Sequence, residues 1–388
     1  MNTILVAAIL TCSPFSSLAQ RKAPFFVNAP GSPITIPGGL SNVALADMNN
    51  DGRLDIVVAC GQGHNITILL GTGGGRFAPT QKGSFSISAN PGEMAVGDIN
   101  TDGKFDVAYA DHDSYGVGLL FGDGKGSFTQ SGSTVIMRDG DRPHTHGLEF
   151  GDVNADGLLD IVTVNNNDND ISVALGDGRG NFRRATRSPF AVGQSPYPPT
   201  LGDVNQDGHL DIISTTTTTG PGVSRTASSS KALTILFGDG RGDFRRSDIP
   251  LRTPEPWCIA VGDINGDSKP DIVATHREAS PLTVLLALGA GKFVEEANSP
   301  FSLGRSAWRL RIADVNSDGK SDVIAAAGDG VRVMLGDGNG NFTHEDDSPY
   351  FTGRGTWRLA VGDLNGDQKT DVVTSNMESG TVSILLAR

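Results

Sequence analysis

From residue 40 to the C-terminus, short apolar runs alternate with turns rich in glycine and aspartate. Met94-Ala95-Val96 leads into one acidic stretch, Asp160-Ile161-Val162-Thr163-Val164 leaves another, and Ile171 to Leu175 follows after a polar turn. A glycine turn comes next, GDGRGNF from Gly176 or GDGNGNF from Gly336, and its Phe opens a further strand-like run. No window holds a 3.6-residue period, so the pattern predicts strands and no helices. Four short strands in each unit of roughly 50 residues, punctuated by glycine turns, is the signature of a propeller blade.

The units are counted by one motif, D-x-N-x-D-[G/x]-x-x-D, which occurs seven times at intervals of 51, 54, 51, 60, 51 and 49 residues. Its polar positions are Asp47, Asn49, Asp51 and Asp55; Asp98, Asn100, Asp102 and Asp106; Asp152, Asn154, Asp156 and Asp160; and Asp203, Asn205, Asp207 and Asp211. They continue as Asp263, Asn265, Asp267 and Asp271; Asp314, Asn316, Asp318 and Asp322; and Asp363, Asn365, Asp367 and Asp371. The expected fold is all-β, a seven-bladed β-propeller of four-stranded antiparallel blades. The seventh unit stops after its third strand, at Thr381 to Leu386, while Phe26 to Ile34 matches Phe293 to Phe301 of the fifth unit. The N-terminal strand is therefore expected to close the ring and cover an otherwise bare edge.

Three carboxylates and an amide carbonyl in a nine-residue loop suit a hard dication that takes six to eight oxygens, with the position-7 backbone carbonyl and water completing the shell. The expected cofactor is Ca²⁺, up to seven ions, one per blade. The alternative is a set of Asx-rich turns that need no metal. Ser268 and Gln368 stand where the other loops carry glycine, which marks the fifth and seventh loops as departures. A twelve-residue EF-hand loop is excluded, since its terminal Glu position holds Val58, Tyr109 and Thr163 in the first three copies.

Composition supports this reading. The chain of 388 residues carries 51 Gly and a net charge of −13, from 31 basic and 44 acidic residues, 21 of the latter in the seven motifs. A chain so acidic is unsuited to nucleic acid or to anionic membranes. Seven Ca²⁺ would bring it close to neutrality. Ile4 to Leu10 followed by Ser17-Leu18-Ala19 reads as a signal peptide over residues 1–19. The n-region lacks Lys and Arg, and Cys12 raises a lipoprotein alternative. No segment is long and apolar enough to form a transmembrane helix. The expected location is secreted, cell-surface or periplasmic, with a single domain over 20–388. Cys60 and Cys258 remain after the leader and permit at most one disulfide.

The acidic loops and the GDGxGxF turns resemble the FG-GAP (VCBS-type) repeats of the integrin α-subunit propeller and of secreted seven-bladed propellers, including sugar-binding lectins. The resemblance spans about residues 25–388. It implies Ca²⁺ held by the loop Asp and Asn side chains between the first two strands of each blade. Relatives of this kind include adhesion modules, lectins and a few polysaccharide lyases or sugar dehydratases, so the fold alone does not choose a function.

The residue six places before each motif is Ser41, Gly92, His146, Tyr197, Trp257, Trp308 and Trp357 in turn. All three Trp thus share one structural position, with Tyr197 and His146 continuing the arc and Arg309 and Arg358 adjoining two of the Trp. This arc is the expected ligand site, on the rim opposite the acidic loops, for carbohydrate first and an extracellular protein second. The alternative is that the aromatics are packing wedges between blades. His64, His112, His144, His276, Asp111, Asp113, Tyr115, Arg277 and Glu278 are expected on the same rim. They form no zinc spacing or nucleophile triad, and no catalytic residue is assigned. Ser214 to Ser230 reads as an enlarged turn of the fourth blade.

Overall fold

A computed structural model describes residues 25–141, 143–217, 231–277 and 281–388. The predicted leader, Glu278 and most of the Ser214–Ser230 turn lie outside them. Among the described residues there is no helix, and so none long and apolar enough to cross a membrane.

Each acidic loop joins two antiparallel strands, and a third and a fourth complete the unit. The first unit runs Leu40–Ala46, Asp55–Cys60, Asn65–Gly73 and Arg76–Ser86. In the second the fourth strand is broken into Phe128–Gln130 and Val135–Ile136, both paired to the third strand Gly116–Gly122. Strand pairing separates the first five units into sheets of their own and links the sixth and seventh into one sheet of eight strands. The link is the strand Tyr350–Gly362, which pairs with Asp322–Gly336 of the sixth unit and with Asp371–Asn376 of the seventh.

The seventh unit takes its outer strand from the other end of the chain. Phe26 pairs with Ala387 and Ile34 with Val382. In the fifth unit Phe293 pairs with Ala287 and Phe301 with Leu282, as the sequence match required.

The second strand of each unit explains why the chain packs this way. Ile56, Val57, Val58, Ala59 and Cys60 are all buried, although a strand presents successive side chains to opposite faces. Ile56, Val58 and Cys60 pack against Val373, Val382 and Ile384 of the seventh unit, whereas Val57 and Ala59 pack against Met94, Val107 and Leu120 of the second. A strand covered on both faces reads as a continuous apolar run. Apolar clusters of this kind lie between each neighbouring pair of units and between the last and the first.

Cys60 and Cys258 are buried free thiols, so the one disulfide that the sequence permits is not formed. Burial pushes the Cys60 thiol up to about 11.

Candidate functional site

At one end of every first strand the acidic loop folds on its own side chains. In the first copy Asp47 accepts from the Asp51 and Gly52 amides at 3.0 and 2.7 Å, Asn49 from the Asp51 amide at 3.2 Å, and Asp51 from the Arg53 amide at 3.0 Å. The backbone is left-handed at the sixth position and also at the fourth, as at Asn50 and Gly52. Ser268 and Gln368 take that conformation too, with φ of 63° and 64°, so the two departures leave the turn unchanged.

The ninth position behaves differently from the others. Asp55, Asp106, Asp160, Asp211, Asp271, Asp322 and Asp371 are fully buried. One oxygen of Asp106 accepts from the Ile99 amide at 3.1 Å, and the other accepts from the Gly122 amide at the end of the third strand at 2.7 Å. The same pair of bonds recurs in the first and seventh units, to Met48 and Gly71 and to Leu364 and Ala387. Burial pushes six of these carboxyls up to about 6, and Asp271 upward as well. This tie between loop and third strand was missed in sequence reasoning. Its signal was the Gly sixteen residues beyond Asp55, Asp106 and Asp160. A Cβ at Gly122 would stand 2.1 Å from the Phe105 carbonyl oxygen.

In the seventh loop, Asp363, Asp367 and Asp371 each bring a carboxylate oxygen within 4.8 Å of the other two. The GDGxGxF turns close on themselves: Asp123 accepts from the Lys125 and Ser127 amides at 2.8 and 2.9 Å.

The aromatic arc lies at the opposite end of the first strands. Trp257 stands near the start of Pro256–Gly262, and Asp263 follows its end. A β-bulge aims Trp257: Pro256 pairs with His276 and Cys258 with Thr275, which leaves Trp257 as the extra residue. Ser41, Gly92 and Trp357 are extra residues in the same way, and the His146-Gly147 pair spans the bulge of the third unit.

Ring contacts run without a break along the arc. Centroids of His146 and Tyr197 are 5.1 Å apart, Tyr197 and Trp257 3.7 Å, Trp257 and Trp308 5.4 Å, and Trp308 and Trp357 4.4 Å. Trp257 is 4% exposed and packs with Leu303, Ala307 and Leu310, so it serves as a wedge between the fifth and sixth units. His146, Tyr197, Trp308 and Trp357 are only half-buried. Arg277 lies over the Trp257 ring at 5.0 Å.

The two arginines beside the Trp are ion-paired, and Arg358 also lies over the Trp357 ring at 4.8 Å. Arg358 is 4% exposed and pairs with Glu93, which also accepts from the Asn42 side-chain Nδ2. Arg309 pairs with Glu149 at 3.1 Å across the ring of first strands. Glu149, Arg309 and Arg311 line a cavity of about 340 Å³ bounded also by Thr200 and Ile259. Burial, and then the Arg309 charge, pull Arg311 down to about 10.

The histidines divide. His276, expected on the rim, is instead fully buried, with Nδ1 donating to the Pro254 carbonyl at 2.7 Å and Nε2 accepting from Thr283 Oγ1 at 2.8 Å. Burial lowers its pKa. Tyr115 is buried and donates to Asp168 at 2.5 Å. His64 meets the Ala89 carbonyl at 2.7 Å. His112, His144 and His146 converge, with ring centroids 4.3 to 5.2 Å apart. Burial, then the neighbouring His144, His112 and Arg358, push His146 down to about 3.

The model of the FG-GAP-like repeat matches residues 47–109, 98–163, 152–214, 263–325 and 314–374, which take in all seven acidic loops. The chain belongs to the FG-GAP-like repeat family. No curated protein matches it in sequence. Among solved structures, this FG-GAP chain is similar to an Agrocybe aegerita lectin described as recognising non-reducing terminal N-acetylglucosamine, at 20% identity and a TM-score of 0.57, over 88% of this chain and 86% of that one. It is also similar to BBS1N from a complex with ARL6DN, at 13% identity and a TM-score of 0.63, over 94% and 97% of the two chains. A Lactobacillus plantarum protein matches at 13% identity and a TM-score of 0.58, over 79% and 84%. At these identities the likeness is one of fold.

Proposed function

We propose that this FG-GAP protein is an exported, seven-bladed, calcium-stabilised binding module that takes carbohydrate on the rim carrying the aromatic arc. The observation that carries the reading is the unbroken run of ring contacts from His146 to Trp357, with Tyr197, Trp308 and Trp357 left half-exposed. Aromatic faces next to hydrogen-bonding groups suit the apolar faces and hydroxyls of sugar rings. The lectin neighbour adds weight at the level of fold only.

The donor set of the loops fits Ca²⁺. Positions 1, 3, 5 and 9 offer oxygen and no nitrogen or sulfur, and the three carboxylates of the seventh loop already lie at bridging distance. When bound, the ion would neutralise the clustered carboxylates and brace the turn between first and second strands. The chain's own contribution is the amide network that preforms each loop and the ninth-position Asp that ties it to the third strand.

The test is a glycan and polysaccharide array with calcium and with EDTA, every hit checked for cleavage. Saturable, calcium-dependent binding that Trp308→Ala abolishes without loss of fold is the expected result. Cleavage would move the reading to a lyase or dehydratase on the same scaffold. Silence across the array would favour an extracellular protein partner and leave the sugar reading without support.

A further inference from the structure

At the head of the arc, His146 stacks on Tyr197 and also meets His112 and His144, which belong to neither the arc nor the calcium loops. His112 follows the second strand of the second unit, and His144 and His146 enter the first strand of the third. His112 packs beside Gly92, where a Cβ would lie 3.4 Å from the His112 Cβ, an ordinary contact distance. One ring nitrogen from each of the three lies within 4.8 Å of the other two. His144 Nε2 and His146 Nε2 face each other at 2.8 Å. All three rings are half-buried, so solvent reaches the cluster.

We infer that His112, His144 and His146 form a three-nitrogen site for a Zn²⁺-class transition-metal ion. Imidazole suits such ions and not calcium, which separates this site from the acidic loops. Nitrogens bound tetrahedrally at about 2.0–2.1 Å stand about 3.3 Å apart, so the two facing Nε2 atoms need open by only about half an ångström. The outer partner is in place. Asp113 Oδ1 accepts from His112 Nδ1 at 2.8 Å, leaving Nε2 as the free donor atom, and the Asn90 side-chain amide fixes the other Asp113 oxygen at 3.1 Å. A carboxylate on the far nitrogen orients a ligating imidazole and makes it more basic. Three protein ligands leave a fourth position open to water or to a ligand arriving beside Tyr197, whose ring stacks on His146.

The experiment titrates ZnCl₂, and separately CoCl₂, into the purified protein held in excess Ca²⁺ so that the acidic loops are already engaged. The expected result is one Zn²⁺ per chain and visible Co²⁺ absorption of tetrahedral type. His112→Gln, chosen because its ring is the least entangled with the arc, abolishes both while the melting temperature in calcium holds. Asp113→Asn weakens Zn²⁺ binding about 10- to 100-fold. Absence of stoichiometric Zn²⁺ binding overturns the inference. So does binding that His112→Gln and His144→Ala leave intact, or that rising Ca²⁺ displaces, since the ion would then sit in the loops. Each result is independent of whether any sugar binds.

Discussion

A glycine and a histidine show how single residues carry this structure. Gly122 is required because the third strand approaches the Phe105 carbonyl too closely for a Cβ. Gly122→Ala is therefore expected to cost about 1–3 kcal/mol, the usual range for overpacking, measured by urea unfolding in calcium. In the fifth and seventh units the same donor is Ala287 or Ala387, so Ala287→Gly should change stability much less. Burial favours the neutral form of His276, whose Nδ1 donates to the Pro254 carbonyl. Its folded pKa lies below the ordinary 6.5, so its contribution to stability is complete above about pH 6.5 and fades as the pH falls toward the folded value. His276→Asn should flatten that part of the acid limb in thermal melts between about pH 7.5 and pH 5. An unchanged acid limb would show that other groups dominate it.

Among the elements, the first strand does two jobs at its two ends. Its start carries a bulge in five of the seven units, which in the fifth and seventh turns a Trp onto the arc, and its end delivers the first Asp of the loop. Between them, Glu93, Glu149, Arg309 and Arg358 face partners on other units. Arg358→Met would strand the buried Glu93 carboxylate and should cost about 3–5 kcal/mol. The added change Glu93→Gln should recover part of it, read by the same unfolding curves. The sequence placed both arginines next to the Trp and so suggested ligand contact. It carried no sign that Arg358 pairs with a glutamate 265 residues away.

The two ends of the chain meet in one sheet. Phe26 lies in the cluster with Val333, Leu359 and Leu385, and Phe26–Asn28 covers the outer edge of the last strand. Deletion of residues 20–36 is expected to expose that edge, lower the melting temperature and promote association, checked by calorimetry and light scattering. A deletion that melts as the full chain does would refute the role given to this segment. Calcium is expected to act on all units at once. EDTA should lower the melting temperature of the folded protein, and a melt unmoved by EDTA would remove calcium from the account.

Much was legible in the chain alone. Seven acidic motifs near one spacing marked the units, and short apolar runs between glycine turns marked the strands; that the second strands are buried on both faces came from the structure. The match of Phe26–Ile34 to the fifth unit foretold which strand the N-terminus would supply. Tertiary structure decided what depends on residues far apart. The bulges that present Trp257 and Trp357 leave no mark in composition, since one extra residue shifts pairing without changing residue type. Likewise, His112 meets His144 and His146 only because the second and third units stand side by side, and His276 is buried with bonds to Pro254 and Thr283 that no spacing announced.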